Sequence, residues 1–420
     1  MASDAAARRS ILGSKHVLRP ARGLKPLLLG WALRRLPLLY RLARRFWPIP
    51  RLGRRIVVTR HDDVVEVFRN DADFGVPYGP NLAVIMGGEP FFLAMADTPQ
   101  YRADTAAMRW VMRPEDIPAR LAPAAEAMAE AIVASDGGRI EVVDQLVRRV
   151  TFDLFGDYFG VPEPADGELT VWATRLFEFQ FAEIGRDEAL RAEVAEIAPA
   201  LRAHIDGEIA RRRASPDARD DVLGRCLALQ AQGEPGYEDA RIRTALMGFI
   251  VGGPPQPPMV VPQALEQLLR RPEALAGAQQ AARDGDDAAL AGFVFEAMRF
   301  EPLAPSLPRV ALREATIAAG TSRARTVPAG STVRVGMSSA MMDERRVPDP
   351  YGFDPRRPAE AYLHFGHGLH TCFGAAINRA VLPLMLKPLL MRPGLRRAPG
   401  RAGRLRKQGP FAVALHVVHD

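Results

Sequence analysis

Residues 364–376 read HFGHGLHTCFGAA and set a thiol, Cys372, on a glycine-rich turn that runs straight into an apolar stretch, 374–391. Gly366 and Gly368 permit positive φ, so the backbone can turn sharply and approach a neighbouring group closely. Gly374, Ala375 and Ala376 leave space over the first turn of a predicted helix. N–H groups at a helix N-terminus favour a thiolate over a thiol. A thiolate beside a space walled by small residues suits a flat, bulky ligand.

Three other uses of the thiol fit less well. A structural zinc site needs a second close pair of cysteines, and the chain has only Cys226 and Cys372. A cysteine nucleophile leaves the glycine clearing and Phe365 without a purpose. GHGLHTCFG lacks the preceding strand and the glycine spacing of a dinucleotide loop. Cys226, in the helical-looking run VLGRCLAL, is expected to be a small core residue. Two cysteines make no disulfide framework, so a reducing, cytoplasmic setting is expected.

The rest of the chain is predominantly helical text. RRIVVTRHDDVVEVFRN (54–70) predicts a short strand and then a capped helix with early acids. Residues 72–100 are loop-rich. From about 101 to 300, apolar residues recur three and four apart, with breaks at 135–138, 161–167, 214–221 and 232–239. Prolines, glycines and short strand-like runs such as TIAAG and STVRVGM occupy 303–363, and an arginine-rich tail follows the helix at 374–391. With 48% apolar and 25% charged residues, no repeats and no low-complexity linker, the fold class expected is mainly α with a minor β portion.

The full string, Phe365-Gly-x-Gly-x-His370-x-Cys372-x-Gly374, resembles the haem-binding loop of the cytochrome P450 family. The resemblance implies a single large P450-like domain that binds haem b (iron protoporphyrin IX), with Cys372 as the iron ligand and His370 on a haem propionate. Phe365 would pack near the thiolate, and Gly366, Gly374 and Ala375 would line the proximal face. FEAMRFEP (295–302) looks like the family's Glu-x-x-Arg pair, here Glu296 and Arg299, which would lock to Arg357 in FDPRRP (353–358). In PSLPRVALREA (305–315), Arg309 stands where the family sets an arginine against a propionate. The layout follows the family from about residue 50 to 420 and most specifically over 290–376.

Two stretches depart from that pattern. In DTPQYRADTAAMR (97–109), Tyr101 takes the place of a haem-contacting histidine and Thr105 that of an arginine. Tyrosine can donate to a propionate, and Arg102 or Arg109 is expected to compensate for the missing arginine. The central helix reads ALMGFIVGGPPQPPMVVPQALEQLL (245–269), in which Gly252 and Gly253 fit the family's small positions over the iron. The family's acid falls on Pro255 and its alcohol on Gln256, while prolines 254, 255, 257 and 258 break the helix. Gln256 can hydrogen-bond but is no acid near neutral pH, so Gly253 and Gln256 mark the catalytic side.

Three functions are compatible with these features. The family text implies a monooxygenase that oxidises a lipophilic small molecule with electrons from a ferredoxin and reductase. The missing acid–alcohol pair implies instead a peroxygenase or a fatty-acid hydroperoxide isomerase or lyase, whose substrate brings its own O–O bond. A non-catalytic haem-binding sensor ranks last. Phe91, Phe92, Met86, Phe249 and Ile250 could wall an apolar pocket or serve as plain core.

Charge is concentrated at the start. Residues 1–60 hold fifteen basic residues and one acid, a net of +14, so with +7 overall, residues 61–420 carry −7. Residues 1–50 are expected to form a basic amphipathic segment ahead of a haem-thiolate domain at 51–420. Within it, LKPLLLGWALRRLPLLYRLARRFW (24–47) is too interrupted to span a bilayer. It either touches anionic lipid peripherally or packs its Leu/Trp face on the body with its arginines solvated. The packed arrangement is the commoner and is the one expected here. No nucleic-acid partner is expected.

Overall fold

A computed structural model describes residues 12, 17, 25–165, 167–182, 187–215, 219–409 and 411–420. These residues gather into two compact units. One contains Tyr78–Asp116 and Thr151–Gln256; the other contains Ala21–Pro77, Ile117–Val150 and Pro257–Asp420.

The first unit is helical. Thr98 caps the helix Pro99–Val111 by accepting from the Tyr101 N–H, and Pro99 occupies the first turn, where its missing donor costs nothing. Asp187 and Asp221 cap Glu188–Ala214 and Val222–Ala231 in the same way. Val194, Ile197, Leu201 and Ile205 run along the buried side of Glu188–Ala214, which packs on Asp239–Gly252 through residues such as Ile242 and Leu246. The breaks at 161–167 and 232–239 separate helices, and the break at 135–138 separates the helix Ala122–Ala134 from the strand Arg139–Glu141, because Gly, Pro and Asp there withdraw donors or favour turns.

The second unit joins a sheet to a set of helices. Arg55–Val58 pairs in parallel with Thr332–Val335, which pairs antiparallel with Leu307–Ala311. Arg51–Leu52 and Phe74–Gly75 complete the two edges. Ile56, Val58, Val333 and Val335 are fully buried with Val64, Val67 and Phe68 of the helix His61–Arg69. That helix carries the expected early acids but has no side-chain cap from its own N-cap residue, Arg60. Asp343, far along the chain, accepts from the His61 N–H instead, at 3.0 Å. The arginine-rich tail contains short strands: Val417 pairs with Ile140 on one side and Arg397 on the other. Each strand is only two to five residues long, and several pair with segments distant in the chain that local patterning does not reveal.

The helix Lys25–Phe46 reverses the packing expected for it. Tyr40 and Arg44 are buried, whereas Trp31, Leu38, Leu39, Leu42, Phe46 and Trp47 are exposed. Arg44 is held inside by donating to Ser339 Oγ at 3.0 Å and to the Tyr351 hydroxyl at 3.1 Å. Two acceptors on the body thus draw an arginine inward and leave Leu38, Leu39 and Leu42 facing out. Among the described residues, no helix is long and apolar enough to cross a membrane.

Candidate functional site: a thiol loop and a broken helix

The thiol loop is closed by its own backbone. The Cys372 N–H donates to the Phe365 carbonyl at 2.8 Å, and Thr371 N–H donates to Gly368 at 3.1 Å. Gly366 and Gly368 sit at φ +73° and +77°, the left-handed region that glycine enters without strain. At Gly368 a Cβ would lie 2.2 Å from the Phe68 carbonyl, so this glycine also lets the loop rest on the helix His61–Arg69. A Cβ at Gly366 would meet no protein atom closer than 3.7 Å. Gly374 is the N-cap of the helix Ala375–Met391, its carbonyl accepting from the Asn378 N–H at 2.9 Å.

Cys372 is partly exposed at that helix start. Burial around the thiol pushes its pKa up, while a Gly374 N–H and the Arg379 charge oppose the rise. Helix position and burial thus act on the thiol in opposite directions. Arg379 lies over the Phe365 ring at 5.1 Å, and Phe295 meets the same ring edge-on at 6.2 Å.

Arg309 and His370 come together beside this loop. Arg309 is 2% exposed, stacks over Phe68 at 4.9 Å and donates to the Pro308 carbonyl. Burial, and then the Arg309 charge, push His370 down to about 4, so near neutral pH it is an uncharged imidazole beside a buried cation. Such a pair suits a carboxylate.

The loop is anchored from behind by a carboxylate network. Arg299 donates to Glu296 through Nη2 at 2.6 Å and Nε at 2.8 Å, and both side chains are fully buried. Arg357 Nε reaches the same carboxylate at 3.1 Å, closing the expected Glu296–Arg299–Arg357 triad. The arginines also donate to the carbonyls of Met341, Pro348, Asp349, Pro350 and Gly352. Two further members escaped sequence reasoning. Tyr362 donates its hydroxyl to Glu296 at 3.2 Å, and His364 Nε2 lies 3.0 Å from the Phe295 carbonyl. Positions 362 and 364 alternate into the glycine turn on one side of an extended segment, a weak signal that only the facing helix makes meaningful.

The helix Asp239–Gly252 ends where the prolines begin, and Pro257–Leu269 starts afresh. In an uninterrupted helix the donors of residues 254, 255, 257 and 258 would serve the carbonyls of Ile250, Val251, Gly253 and Pro254; proline supplies none. Gln256 rearranges two donors: its backbone N–H turns to the Gly253 carbonyl at 3.2 Å, and its side-chain amide donates to the Gly252 carbonyl that this N–H would otherwise serve. Gln256 thus caps a helix end, and its nitrogen is committed there. A Cβ on Gly253 would lie 2.8 Å from the Phe249 carbonyl. Phe249 contacts Phe92 and Phe159 at ring separations of 6.3 and 5.6 Å, within an aromatic cluster of the same unit. Phe91 lies over Gly248, where a Cβ would meet its ring at 2.1 Å.

Tyr101 is buried on another helix of that unit. The Thr105 hydroxyl is spent on the Tyr101 carbonyl at 2.8 Å. Arg102 and Arg109 are the residues expected to compensate for Thr105. Both are exposed, and Arg102 forms a two-pronged pair with Asp97 at 2.7 and 2.8 Å. The nearer carboxylate captures the arginine on the surface.

A thiol on a glycine loop, braced by a buried Glu–Arg–Arg network within a mainly helical fold, defines a haem-thiolate class of protein. The family model described as "Cytochrome P450" matches residues 186–414, and the chain belongs to this family of haem b oxidoreductases. The chain is 28% identical to Cyclomarin C epoxidase CymV of Salinispora arenicola over 274 residues, 65% of this chain and 66% of that protein. It is 27% identical to Erythromycin C-12 hydroxylase of Saccharopolyspora erythraea over 343 residues, 80% of this chain and 81% of that one. A third similarity is to a bifunctional dioxygenase–epoxy alcohol synthase of Fusarium oxysporum, 31% over 201 residues, 46% of this chain and 16% of that protein. The match thus spans just under two thirds of the epoxidase and a small part of the synthase. Among solved structures, P450BioI bound to a fatty-acyl carrier protein superposes with a TM-score of 0.78 at 20% identity, covering 94% of this chain and 100% of that one. At that identity the likeness concerns the fold.

Proposed function

We propose that this chain oxidises a lipophilic small molecule at a haem held by Cys372, with a propionate on Arg309 and His370. Phe365, Gly366, Gly374 and Ala375 would line the side of the site that carries Cys372. The fit is supported by the buried Arg309 beside a neutral His370, and by the lack of any protein atom closer than 3.7 Å to a Cβ at Gly366. When bound, a thiolate-ligated haem supplies the redox chemistry for oxygen transfer.

The oxidant is proposed to be a peroxide or a fatty-acid hydroperoxide. The observation that carries this reading is the Gly252–Pro258 turn, where proline replaces the acid and the Gln256 amide is spent on the Gly252 carbonyl. Oxidation with dioxygen consumes two electrons and two protons and releases water. A hydroperoxide needs neither electrons nor delivered protons, because one oxygen leaves as an alcohol while the other enters the substrate, or both stay in a rearranged product. The chain's similarity to a dioxygenase–epoxy alcohol synthase supports the same reading.

A dioxygen-driven monooxygenase fed by a ferredoxin is the second reading, favoured by the similarity to a named hydroxylase and epoxidase. Turnover of the haem-loaded protein separates the two. Linoleic acid hydroperoxide or hydrogen peroxide, without a reductase, should give product. Product only with dioxygen, ferredoxin and reductase would overturn the peroxide reading.

A further inference from the structure

Of thirteen large apolar side chains exposed among the described residues, seven lie between positions 31 and 52: Trp31, Leu38, Leu39, Leu42, Phe46, Trp47 and Leu52. A surface patch of this density is unusual for a protein that meets only water. At about 100° per residue, Trp31, Leu38 and Leu42 fall within about 40° of one another on the helix Lys25–Phe46, with Phe46 and Leu39 beside them. Tyr40 lies on the opposite side and is buried. Exposed Arg45 and Arg41 border the apolar stripe on one side, and exposed Arg35 lies within it. Arg35 stacks on Trp31 and Arg45 on Phe46, at 5.6 Å each.

We propose that this face rests on the surface of an anionic phospholipid bilayer, with the helix lying in the interfacial plane. Leucine, phenylalanine and tryptophan would enter the boundary between headgroups and acyl chains, while the arginines meet phosphates. Charge selects this occupant. The first sixty residues net +14 with Asp4 as their one acid, so a second copy of the same face would be repelled. The inner face is held by buried Tyr40 and by Arg44 on Ser339 and Tyr351, which leaves Leu38, Leu39 and Leu42 facing outward. The contact is independent of which oxidant the haem site uses.

The test is sedimentation of the full-length haem-loaded protein with vesicles. Vesicles of phosphatidylglycerol and phosphatidylcholine should carry it down, pure phosphatidylcholine several-fold less, and half-molar salt should release it. Because its targets are exposed, the triple variant Leu38→Gln, Leu42→Gln, Phe46→Gln should keep its thermal midpoint and reduced carbon-monoxide spectrum. It should lose partitioning by at least about tenfold. Arg35→Gln with Arg45→Gln should weaken the preference for anionic lipid. No vesicle binding by the wild type, or equal binding by the triple variant, overturns the proposal. So does a wild-type dimer that the triple variant converts to a monomer.

Discussion

Gln256 donates its side-chain amide to the carbonyl of Gly252, four residues back, and so stands in for the backbone donor that an unbroken helix would supply. Under the peroxide reading, this ties the proposed lack of a proton relay to helix architecture: the side chain placed at the alcohol position is occupied with holding a proline-broken helix end together. Gln256→Ala should therefore destabilise the protein by about 1 kcal/mol, the usual net worth of one such hydrogen bond, read as a lower thermal midpoint. Under the peroxide reading, peroxide-driven turnover should fall far less than stability alone would suggest.

Pro255→Asp combined with Gln256→Thr restores an acid–alcohol pair. If proton delivery is the deficit, product formed per electron consumed should rise with dioxygen, ferredoxin and reductase. Unchanged coupling would show that the break in the helix, not the lost acid, limits that route.

Cys372→Ser removes the proposed iron ligand. The reduced, carbon-monoxide-bound protein should lose its thiolate absorption band, while circular dichroism keeps the helical signal. A retained band would eliminate Cys372 as the ligand.

Glu296→Gln strips a buried carboxylate from Arg299 and Arg357, leaving two buried guanidinium groups without their counter-charge. The expected cost is about 3–5 kcal/mol, with poor haem retention on purification. Tyr362→Phe removes only one neutral donor from the same carboxylate and should cost about 1 kcal/mol.

Burial pushes His364 down to about 4 from the usual 6.5, so the folded protein holds it neutral with Nε2 toward the Phe295 carbonyl. Below pH 6.5 the unfolded chain binds a proton that the folded chain refuses. This contribution to stability is complete above pH 6.5 and is lost as pH falls toward 4. Thermal unfolding followed between pH 7.5 and 4.5 should show a shallower decline for His364→Gln than for the wild type.

Much of the candidate site was legible because it is local. Phe365 to Gly374 is one loop, whose glycines and thiol sit at spacings set by backbone geometry, and Glu296 and Arg299 share a helix face by the 3.6-residue repeat. The proline cluster announced a broken helix, since proline removes donors wherever it stands. Other features depended on partners remote in the chain. Arg357, Tyr362 and the carbonyls of 341–352 converge on Glu296 and Arg299 only once the segments are folded together. Arg102 was captured by Asp97, and Gln256 by Gly252, through competition that residue type alone does not decide. The N-terminal helix makes the same point. Its alternation of leucine and arginine determined that it would be amphipathic, but Ser339 and Tyr351 decided which face turned inward, because a buried arginine needs acceptors at fixed positions and leucine needs none.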